Sequence, residues 1–372
     1  MKKFIKLIFL NIIVFLGLLI LINLAVILVF RGYKLIKPRI DPWSNLPNYK
    51  NIDWVATHYK EFMKLPTEYR SYIGWRRPPF RGKTINIDQE GIRFTPQHGA
   101  VDTSSTLVVF LGGSAMWGSG SDDINTIPAK FSMLANGEYC SLNLAESGYN
   151  AFQGYIRLKI ETMEGLRPGI IICYDGANEI DALDPSARPF SHARENQIKK
   201  FMQGQDNNDQ LSIKHFFINP LQVFIGKLAF KIRRIQMNEA ADGNSLSIDY
   251  ERVKQVATDL IGSWQSTKEL ADNTGADFIA ALQPIIYMGN PRSDYLTVDE
   301  SLRAKYQALY SAVAKILQEP GYRNLSPYVL DLTSAFDGEE YIYIDDIHVS
   351  PNGNAIIARR IHDHISKMNE AK

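Results

Sequence analysis

Residues 107–120 read Leu-Val-Val-Phe-Leu-Gly-Gly-Ser-Ala-Met-Trp-Gly-Ser-Gly, an unbroken apolar run closed by a glycine pair and a serine. A run of that kind with no polar alternation predicts a strand buried on both faces, as in the middle of a parallel sheet. Ser114 then falls just past the carboxyl end of the strand. In open α/β sheets ligands bind at that edge, where the loops leaving the strands surround a crevice. Gly112 and Gly113 let the backbone turn there without a Cβ clash, so the hydroxyl of Ser114 is presented as a nucleophile.

The rest of the chain repeats the pattern. Apolar strands are expected at 107–111, 139–144, 169–174, 277–282 and 328–332, and amphipathic helices at 127–135, 151–165, 250–273, 299–318 and 351–367. Strands alternating with helices of this length predict an α/β fold, a parallel sheet with helices on both faces. Hydrophobic residues make up 45% and charged residues 22% of the 372, enough apolar material for one large domain with accessories. The net charge of +1 gives no footing for a nucleic-acid partner. Cys140 and Cys173 both fall in expected strands at no metal-ligand spacing, which suits small core hydrophobes.

Two regions lie outside this rhythm. From Leu7 to Phe30 no side chain is charged, which predicts a single membrane-crossing helix, since about 20 apolar residues span a bilayer core. No small-residue cleavage site follows it, so it reads as a retained anchor over 1–31, with the catalytic part expected on the extracytoplasmic side. Between it and the sheet, 32–103 is rich in aromatic and basic residues, among them Trp43, Trp54, Tyr59, Trp75, Arg76 and Arg77. This segment reads as a belt packed over a sheet edge or as a sugar-stacking surface. Asn51 or Asp53 is the expected cap of a helix reaching about 65, and 84–94 is expected to form a strand pair around Gly91. The second irregular region is an insertion at about 184–246. It holds a polar stretch at 203–210, a basic amphipathic segment at 216–235, and His192 and His215.

Three further motifs end at expected strand ends or helix starts. In Asn143-Leu-Ala-Glu-Ser-Gly-Tyr-Asn150 the N–H of Gly148 is left free to point into the crevice; in Tyr174-Asp-Gly-Ala-Asn-Glu179 the side-chain amide of Asn178 is so placed. Asp345-Asp-Ile-His348 runs straight into a helix start, with Ser350 as N-cap and Pro351 at the first position. These parts fit acyl transfer at a carbonyl. A serine hydroxyl needs a base, here His348, and the base needs an orienting carboxylate, here Asp345. The oxyanion needs donors, here the N–H groups of Ser114 and Gly148 and the side chain of Asn178. His362 and His364, two apart on the last helix, do not face each other, and neither metal nor cofactor is expected.

Ser114, Gly148, Asn178 and His348, in that order and each in its own motif, resemble the signature blocks of the SGNH hydrolases, also called GDSL esterases and lipases. The resemblance covers 106–367 and implies a flavodoxin-like three-layer α/β/α domain at 104–368. It also implies that Ser114 is the nucleophile, His348 the base and Asp345 its orienting acid. The expected activity is cleavage of a small acyl ester on a carbohydrate or lipid-linked alcohol. An O-acyltransferase with the same triad and a non-catalytic tethered binding module are the alternatives. Two positions depart from the family pattern: Gly113 stands where an aspartate is usual, and Glu179 stands for the aspartate after the asparagine.

Overall fold

The computed structural model describes residues 2–36, 41–97, 105–184, 187–202 and 248–370. The chain divides into two compact units, Met1–Ile40 with Gln197–Ser247, and Asp41–Asn196 with Ile248–Lys372. The first contains one long helix, α1 (Lys2–Ile36). Among the described residues no helix is long and apolar enough to cross a membrane. The transmembrane helix expected from residues 7–30 is therefore not found among them. The segments 203–210 and 216–235 of the insertion, with His215, lie outside the described residues.

The second unit opens with α2 (Val55–Phe62) and two short antiparallel pairs, β1 (Glu68–Arg70) with β2 (Gly74–Arg76) and β3 (Phe80–Arg81) with β4 (Asn86–Ile87). The expected cap of α2 is corrected: Trp54 holds the cap position with no side-chain bond, and Asn51 instead takes a left-handed turn at φ 65°. The strand pair expected within 84–94 is met only in part. β4 pairs backwards with β3, and Ile87 forms a single bridge to Arg93 across the turn at Gly91.

The sheet follows as β5 (Thr106–Gly112), β6 (Tyr139–Asn143), β7 (Ile170–Asp175), β8 (Asp277–Leu282) and β9 (Val329–Asp331), all parallel, in the order β6-β5-β7-β8-β9. This is the flavodoxin-type order, with the chain reversing direction across the sheet after β6. The helices are α3 (Ser114–Trp117), α4 (Ile127–Ala135), α5 (Ala151–Met163), α6 (Glu195–Met202), α7 (Tyr250–Thr274), α8 (Arg303–Ile316) and α9 (Pro351–Glu370). Right-handed crossovers put the helix of the β5–β6 connection on one face and those of the three later connections on the other. Accordingly α4 packs on α9, while α7 packs on both α5 and α8.

The core lies between these layers, with Val108, Val109, Phe110, Ile171, Ile172, Phe278 and Ile279 all buried. Each buried aliphatic or aromatic side chain contributes about 1.5–3 kcal/mol on leaving water. β5 and β7, the strands that flank the reversal point, carry Ser114 and Asn178 just beyond their carboxyl ends. The aromatic segment before the sheet is packed on this unit. Trp43, Tyr49, Val55 and Ile344 form their own buried cluster, so the belt meets the loop that bears His348.

Candidate active site

Ser114 is the first residue of α3, which starts at the end of β5 with Gly113 as its N-cap. A first helical residue has no intrahelical acceptor for its N–H, so the Ser114 amide stays available at the crevice. The short helix is pinned from behind. Arg93, fully buried, pairs through Nε with Asp123 at 2.9 Å and donates to the carbonyls of Trp117, Gly118 and Ser121 at 3.0, 2.7 and 2.6 Å. Its guanidinium also lies 4.4 Å from the Trp117 ring centroid, and that of Arg77 lies 4.1 Å from it.

The loop after β9 brings in the imidazole. His348 Nε2 lies 2.6 Å from Ser114 Oγ, and its Nδ1 lies 2.8 Å from Asp345 Oδ2. The other Asp345 oxygen accepts the N–H groups of Ile347 and His348 at 3.0 and 2.7 Å, which locks the carboxylate across the loop it orients. That loop is itself held on three sides. Tyr343 and Val349 pair as a bridge, Asn48 Nδ2 donates to the Tyr343 carbonyl at 2.8 Å, and Gln283 Nε2 donates to the Ile347 carbonyl at 3.1 Å. Burial works to raise the Asp345 carboxyl, but the His348 charge and the bonds it accepts outweigh that and hold it down at about 2. Burial works to lower His348, and the adjacent Asp345 carboxylate, with Asp346 behind it, outweighs burial and raises it above the usual histidine range. The expected capping by Ser350 is corrected. Its carbonyl accepts the Asn354 N–H at 3.1 Å, but its buried hydroxyl finds no partner among the described residues.

Gly148 follows β6 in a left-handed turn at φ 80°, a conformation that strains any residue with a Cβ. The turn is fastened by residues of the preceding hairpin. Trp75 Nε1 donates to the Ser147 carbonyl at 2.9 Å, and the Tyr149 hydroxyl returns a bond to the Trp75 carbonyl. Glu146 forms a buried ion pair with Arg77 and accepts the Arg77 and Ser147 N–H groups at 3.0 and 2.7 Å. Asn178 begins a turn of 3-10 helix (Asn178–Leu183) beyond β7, and its Nδ2 donates to the Tyr149 carbonyl at 2.7 Å. A carboxamide has two N–H bonds, so one remains for a ligand.

Both departures from the family pattern have local causes. A Cβ at Gly113 would lie 2.1 Å from Asn178 Nδ2, so in this chain the amide takes the space an aspartate would need. Glu179, one methylene longer than aspartate, is buried and accepts the Gly176 N–H with one oxygen and the Ala151 N–H with the other, both at 2.9 Å. It thereby ties the loop after β7 to the start of α5.

Of the residues singled out from the sequence, Ser114, His348 and Asp345 stand in a hydrogen-bonded row, and Asn178 is tied to Tyr149, the residue after Gly148. Sequence reasoning missed Arg93 altogether, and missed that Arg77 and Glu146 brace the site as an ion pair. The buried charges among 32–103 have partners distant in sequence, and only the excess of basic residues there hinted at them.

No family model matches the chain, and no curated protein matches it. Among solved structures, it is similar to a carbohydrate acetylesterase family member from Sinorhizobium meliloti at 12% identity, covering 71% of this chain and 98% of that one with a TM-score of 0.40. It is also similar to a GDSL-like lipase from Bacteroides thetaiotaomicron at 13% identity, covering 71% and 89% with a TM-score of 0.39. What the site can do rests on its own geometry.

Proposed function

We propose that this chain is a serine esterase of the SGNH type, cleaving a small acyl ester from a carbohydrate or lipid-linked alcohol through an acyl-Ser114 intermediate. The observation that carries the reading is the row of Ser114 Oγ, His348 and Asp345 at 2.6 and 2.8 Å, within the reach that proton transfer needs. His348 Nε2 takes the Ser114 proton as Oγ attacks the ester carbonyl. The oxyanion that forms accepts from the N–H groups of Ser114 and Gly148 and from the second N–H of Asn178. His348 then gives its proton to the departing alkoxide, and a water activated by the same imidazole releases the acid. Asp345 holds Nδ1 protonated throughout, which leaves Nε2 as the acceptor.

In the same reading α1 is the membrane anchor and the catalytic unit lies on the extracytoplasmic side. Support comes from the uncharged run from Leu7 to Phe30 and from the exposure of Phe4, Phe9, Phe15, Leu21 and Leu28 along the helix. A cysteine introduced at the exposed Tyr69 should be labelled by a membrane-impermeant maleimide in intact cells; protection until lysis would reverse the orientation.

Reaction with a fluorophosphonate probe tests the chemistry. A single adduct on Ser114, absent in Ser114→Ala and accompanied by loss of aryl acetate hydrolysis, is expected. Undiminished hydrolysis by Ser114→Ala would refute the mechanism. Incubation with an acyl donor, with and without a sugar acceptor, separates hydrolysis from transfer: product only in the presence of acceptor would make the chain an acyltransferase.

A further inference from the structure

Beside the two oxyanion donors contributed by Gly148 and Asn178 lies an open cavity of about 360 Å³. Its walls come from the 3-10 helix that Asn178 begins, from residues 187–196 of the insertion, and from α8. The link to the reaction centre is short: a Cβ at Gly148 would lie 3.7 Å from the Ala193 Cβ and 3.4 Å from the Trp75 ring, which makes a T-shaped contact with His192 at 5.1 Å between centroids.

Three polar heads in this cavity are unspent. Among the described residues the Asp181 carboxylate, the Lys305 ammonium and the Asn196 amide have no hydrogen-bond or ion-pair partner, although all three line the space. His192 accepts the Arg194 N–H at Nδ1, 3.2 Å away, which leaves Nε2 to carry the proton of the neutral ring. The cavity thus offers donors and acceptors together. An aliphatic acyl chain would leave Asp181, Lys305 and Asn196 desolvated and unpaired, at about 1–3 kcal/mol each. An anion fits no better, because Asp181, Asp184 and Glu195 outnumber the one lysine. A neutral ring bearing several hydroxyls, each able to donate and to accept, satisfies the set.

We infer that this cavity is the subsite for the alcohol portion of the substrate, an uncharged sugar ring, and that Asp181, His192 and Lys305 select it. The inference rests on the esterase reading of Ser114. Sugar hydroxyls bond to Asp181 and Lys305, and the His192 Nε2–H reaches the hydroxyl nearest the ester. The acyl group stays outside the cavity and is small.

The test compares kcat/KM of the full chain for an O-acetylated methyl glucopyranoside, for 4-nitrophenyl acetate and for 4-nitrophenyl octanoate. In Asp181→Ala and Lys305→Met the ratio of sugar acetate to aryl acetate should fall at least about tenfold, the loss expected for one charged hydrogen bond, with the thermal midpoint of each variant as a control for folding. A ratio unchanged in both variants, or a wild-type preference for octanoate over acetate, overturns the subsite assignment. Absence of aryl acetate turnover together with absence of a fluorophosphonate adduct on Ser114 overturns the underlying esterase reading instead, so the two failures are distinct.

Discussion

Asn178 Nδ2 donates to the carbonyl of Tyr149 across 2.7 Å, so the side-chain amide that begins the 3-10 helix is fixed by the residue immediately after Gly148. The two loops that carry the proposed oxyanion donors are therefore tied together, and displacing either disturbs the other.

Removing that amide is the most direct check. Asn178→Ala should lower kcat on aryl acetate by about 10²–10³, the usual loss for one oxyanion donor, with a much smaller change in KM. Steady-state kinetics measures the split; a rise in KM with kcat intact would show that Asn178 binds substrate and does not stabilise the transition state.

The family's usual aspartate should be harmful here. In Gly113→Asp the new Cβ must push Asn178 Nδ2 from a position 2.1 Å away, so kcat should fall about as far as in Asn178→Ala. Because both changes remove the same donor, the double variant should be hardly slower than either single one. Full additivity would show that Gly113 acts on something else.

The acid limb of kcat/KM should lie above 6.5, the ordinary histidine value, since His348 must be neutral to take the proton and its neighbours raise it. In Asp345→Asn the raising charge is gone and burial pushes the other way, so the limb should move to lower pH while the rate drops by up to about 10⁴ through loss of the tautomer. A pH–rate profile with an unshifted limb would remove Asp345 from the role of orienting acid. The sign for folding is opposite in direction: the His348 contribution is present below 6.5 and fades as pH climbs through the raised value.

Arg93→Leu should destabilise the fold by about 3–5 kcal/mol, because it strands the Asp123 carboxylate and three carbonyls in a buried place. Urea unfolding reads this. Replacing Asp123 as well, by Leu, should recover part of the loss; no recovery would mean that the Trp117 and Gly118 bonds dominate.

How much of this was legible in the sequence follows from the range of the forces involved. β5, β7 and β8 announced themselves because burial on both faces leaves an apolar run such as Val108–Leu111, and α9 because its start carries Pro351 at the first helical position. Local signals also misled. The hydroxyl of Ser350 does not cap α9, and Asn51 spends itself on a left-handed turn and leaves α2 uncapped. What could not be read is long-range: that Glu179 needs its extra methylene to reach Ala151, that Gly113 leaves room for an amide 65 positions later, and that Arg77 seeks Glu146. Such pairings depend on which loops the sheet order brings side by side.

The grip of Trp75 and Arg77 on the turn at 146–149 decides where this protein can be cut. A fragment beginning at residue 104 would keep every group that acts on the ester and still lose the clasp on one of its donors, leaving an enzyme whole in its chemistry and slack in its aim. A piece that keeps this clasp must begin before Trp75, so the stretch that looks like a spacer between helix and sheet is part of the tool itself.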